Sequence, residues 1–208
     1  NNNRPWFNEN KDRYLAAKKE FDTYIEMLIP LLKKQDHSID VNCAKECVYR
    51  IYRDVRFSKN KEPYKNSFGA YISKGGRKSP YAGYYIHFEP DNSFVGGGIY
   101  QPSPTVLKSI RNQIFEHTDA YKKILTKKEL KNEFSVLEGA KLKMAPKGFP
   151  KDFKDIDLLK NKHFTVRKKI DNKLWLKKNS VELILKSFET QQDFNHFLNR
   201  AVEAEILS

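Results

Sequence analysis

His87 and Glu89 stand two apart in Gly83-Tyr84-Tyr85-Ile86-His87-Phe88-Glu89. On an extended strand that spacing puts both on one face with Tyr85, where a carboxylate can orient an imidazole for proton transfer. The rival reading is the polar outer face of a half-exposed sheet. Upstream, Arg53-Asp54-Val55-Arg56-Phe57-Ser58-Lys59-Asn60-Lys61-Glu62-Pro63-Tyr64-Lys65 crowds cations around two acids, Asp54 and Glu62. Arg53 and Arg56 offer planar forks that suit carboxylate or phosphate, and Asp54 can orient one of them by a charge-assisted pair. Pro63 stiffens the loop between Lys61 and Lys65. Two readings of this run stay open. In one, Arg53, Arg56, Lys61 and Lys65 supply charge to an anionic ligand, Tyr64 and Asp54 orient them, and Lys147 closes the pocket. In the other, the same side chains form an Arg–Asp–Tyr network tying a helix to the sheet.

Other chemistries find less support. Gly96-Gly97-Gly98 follows a strand and precedes a helix start at Ser103-Pro104, an order shared with phosphate loops. No Gly-Lys-Ser/Thr follows and the spacing fits neither nucleotide fingerprint, so the glycines read as a bulge or a close backbone approach. The histidines (His37, His87, His117, His163, His196) lie far apart and form no ligand pair on a helix. Cys43 and Cys47 read as two small core residues in a reducing compartment. Neither a metal nor a cofactor is expected. No nucleophile elbow occurs.

The charge of +13 is unevenly placed. Residues 53–78 hold eight Lys/Arg against two acids, and residues 141–178 hold thirteen against four. Such density draws phosphate-bearing partners by long-range steering, or it only keeps a surface solvated. Aromatics interleaved with lysines, as in Lys173-Leu174-Trp175-Leu176-Lys177, make nucleic acid a rival partner for 141–178, although no recognised RNA or DNA motif is present.

These residues need a scaffold, and the pattern supplies one. Tyr14, Ala17, Phe21, Ile25, Leu28 and Leu32 predict a helix over 9–32, which Pro30 should kink or end. Trp6 and Phe7 should fold back on its first turn. Ala44, Cys47, Val48, Ile51, Tyr52 and Val55 predict a second helix, with Arg50, Arg53 and Asp54 on its opposite face. Alternation predicts strands at 67–73, 83–89 and 93–100, joined by glycine and Pro-Asp-Asn turns into an antiparallel meander. Helices should start at Ser103-Pro104, at Asp119 and at a Thr126/Glu129 capping box. The basic half predicts a strand near Leu142 and Met144, a short helix at 153–159 and a strand at 163–170. Two closing helices follow, capped by Asn179 and Thr190. The expected architecture is a single α+β domain over 1–208, with a sheet around 66–100 packed by N-terminal, central and C-terminal helices.

The residues also resemble a known family. Asn2-Asn3-Arg4-Pro5-Trp6-Phe7, Arg50 to Ser58 with Lys61-x-Pro63-Tyr64-Lys65, Gly83 to His87, Gly96-Gly97-Gly98-Ile99-Tyr100-x-Pro102, Leu107-x-x-Ile110-Arg111 and Leu142-Lys143-x-x-Pro146-Lys147-Gly148-Phe149 are similar to domain of unknown function (DUF) 2461. The likeness covers nearly the whole chain. It implies one domain from a mainly bacterial family, with no assigned activity, cofactor or catalytic residue to carry over.

No apolar run approaches the roughly 18 residues of a membrane span, and no leader pattern opens the chain, so a cytoplasmic protein without membrane contact is expected. The leading expectation is a module that binds a phosphate- or carboxylate-bearing ligand. The alternatives are an enzyme using His87 as acid/base, with Glu89 orienting it and Arg53 stabilising negative charge, and a nucleic-acid binder using 141–178. Substrate and oligomeric state are not legible.

Overall fold

The computed structural model describes residues 2–136 and 139–207. The fold is α+β: a five-stranded antiparallel sheet with helices packed on one face. Its strands are β1 (Phe68–Ile72), β2 (Gly83–Phe88), β3 (Phe94–Ile99), β4 (Ser135–Val136) and β5 (Phe164–Lys169), in the order β1-β2-β3-β5-β4. The meander expected around 66–100 is its first three strands, and β5 joins on the far side of β3.

Side chains alternate across the sheet as the pleat demands. Ala70, Ile72, Tyr84, Ile86, Val95 and Val166 face the helices. The first hydrophobic cluster sits under β1 and β2 and is filled by Phe21, Ile25, Leu28 and Leu32 of α2 (Lys11–Gln35). A second lies under β3 and β5, against α4 (Pro104–Glu116), α5 (Thr118–Thr126) and α6 (Lys128–Glu133). The C-terminal helix α9 (Ser180–Ile206) serves both, with Ile184 and Phe188 in the first and Phe194, Phe197, Leu198 and Val202 in the second. Short helices α1 (Arg4–Glu9), α3 (Ala44–Cys47), α7 (Ile156–Leu159) and α8 (Asn172–Trp175) complete the described set.

One polar cluster ties these layers. Asp36, which ends α2 and is 2 % exposed, accepts hydrogen bonds from the Tyr84 hydroxyl at 2.5 Å and from Ser38, and contacts His196 of α9 at 3.2 Å. Burial alone would raise the Asp36 carboxyl, but hydrogen bonds with His196, Ser38 and Tyr84 outweigh it and hold the group well below the usual carboxylate range.

Several expected elements differ. Helix α2 passes through Pro30 to Gln35, because Leu28, Ile29 and Leu32 are buried there and their packing outweighs one lost backbone bond. Trp6 and Phe7 lie within α1, where the Asn3 side chain accepts from the Trp6 amide. The second helix stops at Cys47 instead of reaching Val55. Val48 bridges Ala70 of β1 and the Tyr49 amide bonds Gly69, so strand pairing captures the segment that the apolar spacing marked as helical. Thr126 and Thr190 do not cap helices: each hydroxyl donates to a carbonyl four residues back. Hence α9 runs unbroken. Lys141 forms an isolated bridge to Asn161 in place of a strand at Leu142.

Candidate ligand site

The structure divides the residues singled out by type and spacing. Residues 53–65 form a loop closed at its base by a bridge between Tyr52 and Tyr64. Within it, Arg56 holds Asp54 through two bonds, Nε–Oδ1 at 2.9 Å and Nη2–Oδ2 at 2.6 Å. Those bonds hold the Asp54 carboxyl down to about 2. Arg53 donates to the Glu62 carbonyl at 3.3 Å, and its guanidinium lies 3.7 Å from the Glu62 carboxylate. The Lys61 ammonium donates to the carbonyls of Val55 at 2.9 Å and Arg56 at 3.4 Å. Tyr64 is buried with its ring stacked on Phe7 at 4.0 Å, and its backbone is bonded by Asn2. Lys147 is exposed, on a loop whose Phe149 packs on Phe115. Arg53, Asp54, Arg56 and Lys61 are therefore gathered, but onto their own loop. Lys65 departs from it.

Lys65 and His87 both line a cavity of about 910 Å³ on the outer face of the sheet, which Ser103 and Val106 at the start of α4 also border. One cross-strand row runs through its floor. Tyr71 pairs Tyr85, Tyr85 pairs Gly96, Gly96 pairs Arg167 and Arg167 pairs Ser135, and all five line the cavity. Glycines make the room. Gly96 and Gly98 put bare backbone in the lining, while Gly97 lets α9 approach from behind: a Cβ there would meet the Gly83 carbonyl at 2.3 Å and the Gln191 amide at 2.6 Å. From α9, the Gln191 amide donates to the Gly96 carbonyl at 2.9 Å. Asn195 accepts from Gly98 at 2.9 Å and donates to Gly83 at 3.0 Å, and Asn199 accepts from Ala82 at 2.7 Å. The glycine run is thus a close-approach device, and the hollow is its other side.

The lining combines rings with cations. Tyr49, Tyr71, Tyr81, Tyr85, Phe94 and Tyr100 supply rings, and Lys65, Arg77, Lys78 and Arg167 supply charge; among the described lining residues there is no Asp or Glu. The Lys65 ammonium lies 5.5 Å from the centre of the Tyr49 ring, which meets Tyr85 edge-on at 6.4 Å. Partial burial, with Arg50 nearby, lowers the Lys65 pKa. The Arg167 guanidinium sits 4.1 Å over Phe94, and His87 stacks on the same ring at 4.7 Å. The basic stretch 141–178 is split at this strand, since the neighbouring Lys168 bonds Glu133 at 2.7 Å and Ser187 at 2.8 Å on the helix side.

His87 sits between two partners. Its Nδ1 lies 3.1 Å from the Tyr85 hydroxyl and its Nε2 lies 3.0 Å from Glu89. Hydrogen bonds from His87 and Asn92 hold the Glu89 carboxyl below its ordinary range. Burial pushes the Tyr85 phenol up to about 12. No group of three His, Cys, Asp or Glu suited to a metal occurs among the described residues. No described helix is long and apolar enough to cross a membrane.

A family model described as "Conserved hypothetical protein (DUF2461)" matches residues 1–197. The chain belongs to the DUF2461 family. No curated protein and no solved structure matched it. For this DUF2461 member the sequence readily brings out the Arg/Lys loop and the His87/Glu89 pair, but not Tyr49, Tyr71, Arg77, Lys78 or Tyr81. The outward positions of successive strands, once aligned in meander register, would have brought Tyr71, Tyr85 and Gly96 into one row.

Proposed function

We propose that this protein binds an organic anion, carrying phosphate or carboxylate on an apolar or aromatic body, in the cavity on the outer face of the sheet. The observation that carries the reading is the lining itself, which offers Lys65, Arg77, Lys78 and Arg167 among aromatic walls, with no carboxylate among its described residues. A concave wall of one sign focuses potential and concentrates counter-charged ligands. The volume falls within the range of small-molecule sites, about 300–1,000 Å³. Lys65 belongs to the set marked by the sequence; Arg53, Asp54, Arg56, Lys61 and Tyr64 serve this reading as the support of the loop that presents it. A second reading, an enzyme acting on the same anion by acid–base chemistry, draws on the Tyr85–His87–Glu89 chain of hydrogen bonds.

Titration of the protein with phenyl phosphate, benzoate and benzyl alcohol, followed by backbone amide NMR, tests the binding reading. The expected result is that both anions shift the Gly96 and Gly98 amides, with the neutral alcohol at least about tenfold weaker. Equal binding of the alcohol, or shifts confined to residues 53–61, would overturn it.

A further inference from the structure

The direction of the hydrogen bonds along Tyr85, His87 and Glu89 says more about the ligand, if the cavity is an anion site as read above. Glu89 is ionised, held so by hydrogen bonds from His87 and Asn92, and a carboxylate only accepts. The contact at 3.0 Å is therefore donated by His87 Nε2–H. A neutral imidazole with its proton on Nε2 has a lone pair on Nδ1. While the imidazole is neutral, the contact at 3.1 Å, which an imidazolium would reverse, is donated by the Tyr85 hydroxyl. Its one hydrogen is committed, and what Tyr85 offers the cavity is oxygen lone pairs.

Tyr85 is also well placed beside the charge. Tyr85 and Lys65 both border Tyr49, whose ring meets Tyr85 edge-on and has the Lys65 ammonium 5.5 Å from its centre, and both line the same cavity. Gly69 gives the Tyr85 ring its space, since a Cβ there would meet the hydroxyl at 2.8 Å. Lys65 can hold an anionic group while Tyr85 tests what is attached next to it.

We propose that the ligand is a hydroxylated anion, whose hydroxyl next to the acidic group donates to Tyr85, and that Tyr85 is the specificity-determining residue of the site. His87 and Glu89 are positioning residues that act through Tyr85 by fixing the tautomer. A half-buried acceptor that a ligand covers without offering a donor is an unmade hydrogen bond, and sites built around a ligand hydroxyl reject analogues lacking it. A keto oxygen in the same place is worse than nothing, because it sets acceptor against acceptor.

Matched probes test this at pH about 8, above the ordinary range of histidine. Mandelate, phenylacetate and phenylglyoxylate share one body and one carboxylate, and carry a hydroxyl, a hydrogen or a keto oxygen beside it. Glycerol phosphate and propyl phosphate make the corresponding phosphate pair, so the series that binds identifies the acidic group. By calorimetry or NMR titration, the hydroxylated member should bind at least about tenfold tighter than its partners. Tyr85→Phe should remove that preference, so that mandelate and phenylacetate, or glycerol phosphate and propyl phosphate, bind alike within about twofold. Glu89→Gln, which keeps the shape but frees the tautomer, should weaken the preference and move the His87 ¹⁵N shifts away from the Nε2–H form. Equal binding of hydroxy and keto acids, or a preference that survives in Tyr85→Phe, would overturn the proposal and leave the anion reading standing. Binding of none of the five anions would overturn both.

Discussion

The loop at 53–65 and the hollow on the outer sheet face are both cationic, yet they gather their charge from different reaches of the chain. In the loop the charged side chains of 53–62 find partners near in sequence: Arg56 with Asp54, Lys61 with Val55, Arg53 with Glu62. Around the hollow, Lys65, Arg77 and Arg167 come from separate parts of the chain and line one space. The difference is mechanical. The loop cations fold back on groups of their own loop, whereas strand register carries Arg167 to the hollow. Lys65 and Arg77 reach it from flanking segments, their heads held by the Arg50 and Lys45 carbonyls. Local cation density alone is weak evidence of a site.

The comparison can be broken most forcefully at the floor of the hollow. Gly97→Val would drive a side chain into the Gly83 carbonyl and the Gln191 amide, and should cost about 3 kcal/mol or more in urea unfolding. Asn195→Ala comes next. Asn195 is 1 % exposed and serves both the Gly98 amide and the Gly83 carbonyl, so the same measurement should show a loss of about 2–3 kcal/mol. A third pair of variants sharpens the contrast directly. Lys65→Ala with Arg77→Ala should weaken phenyl phosphate binding by about tenfold or more, while Arg53→Ala with Arg56→Ala leaves it within about twofold, by the same titration. Arg56 and Asp54 are 77 % and 49 % exposed at their side chains, and Arg56→Ala alone should leave Tm unresolved from the parent.

A small but measurable effect concerns the helix side. The hydrogen bond to Asp36, outweighing partial burial, raises the His196 pKa above its ordinary value. A group raised on folding stabilises fully below its unfolded value and loses that contribution as pH climbs through the folded one. His196→Gln should therefore lower Tm more at pH ~5.5 than at pH ~9. Asp36 works the other way: its depressed carboxyl stabilises at neutral pH, and that contribution fades only as pH falls through the acid range. An equal His196→Gln effect at both pH values would show that the pair contributes no charge.

Much of the scaffold was legible. Strands β1, β2 and β3 fall within the stretches marked by alternation and bounded by glycine or Pro-Asp-Asn turns, because a two-residue period with turn residues at both ends has few other solutions. Ser103 caps α4 as its Ser-Pro signal suggests, its hydroxyl accepting from Val106. The segment from Val48 to Tyr64 was not legible. Val48, Ile51, Tyr52 and Val55 satisfy a helical spacing, but Val48 and Tyr52 are claimed by bridges to Ala70 and Tyr64, partners no local pattern reveals. Of the chemistry, the common face of Tyr85, His87 and Glu89 could be read from strand period alone, and their side chains do meet. The hollow they share with Arg77 and Arg167 could not, since it depends on the register of four strands and on a turn.

At Gly96 the sheet is one peptide thick, with the hollow on one side and the carboxamide of Gln191 gripping the same residue's carbonyl from the other. No side chain of residue 96 cushions the two. Anything that presses on this plane from the solvent side is therefore felt at the middle of a 27-residue helix, and a shift of that helix reshapes the bottom of the bowl.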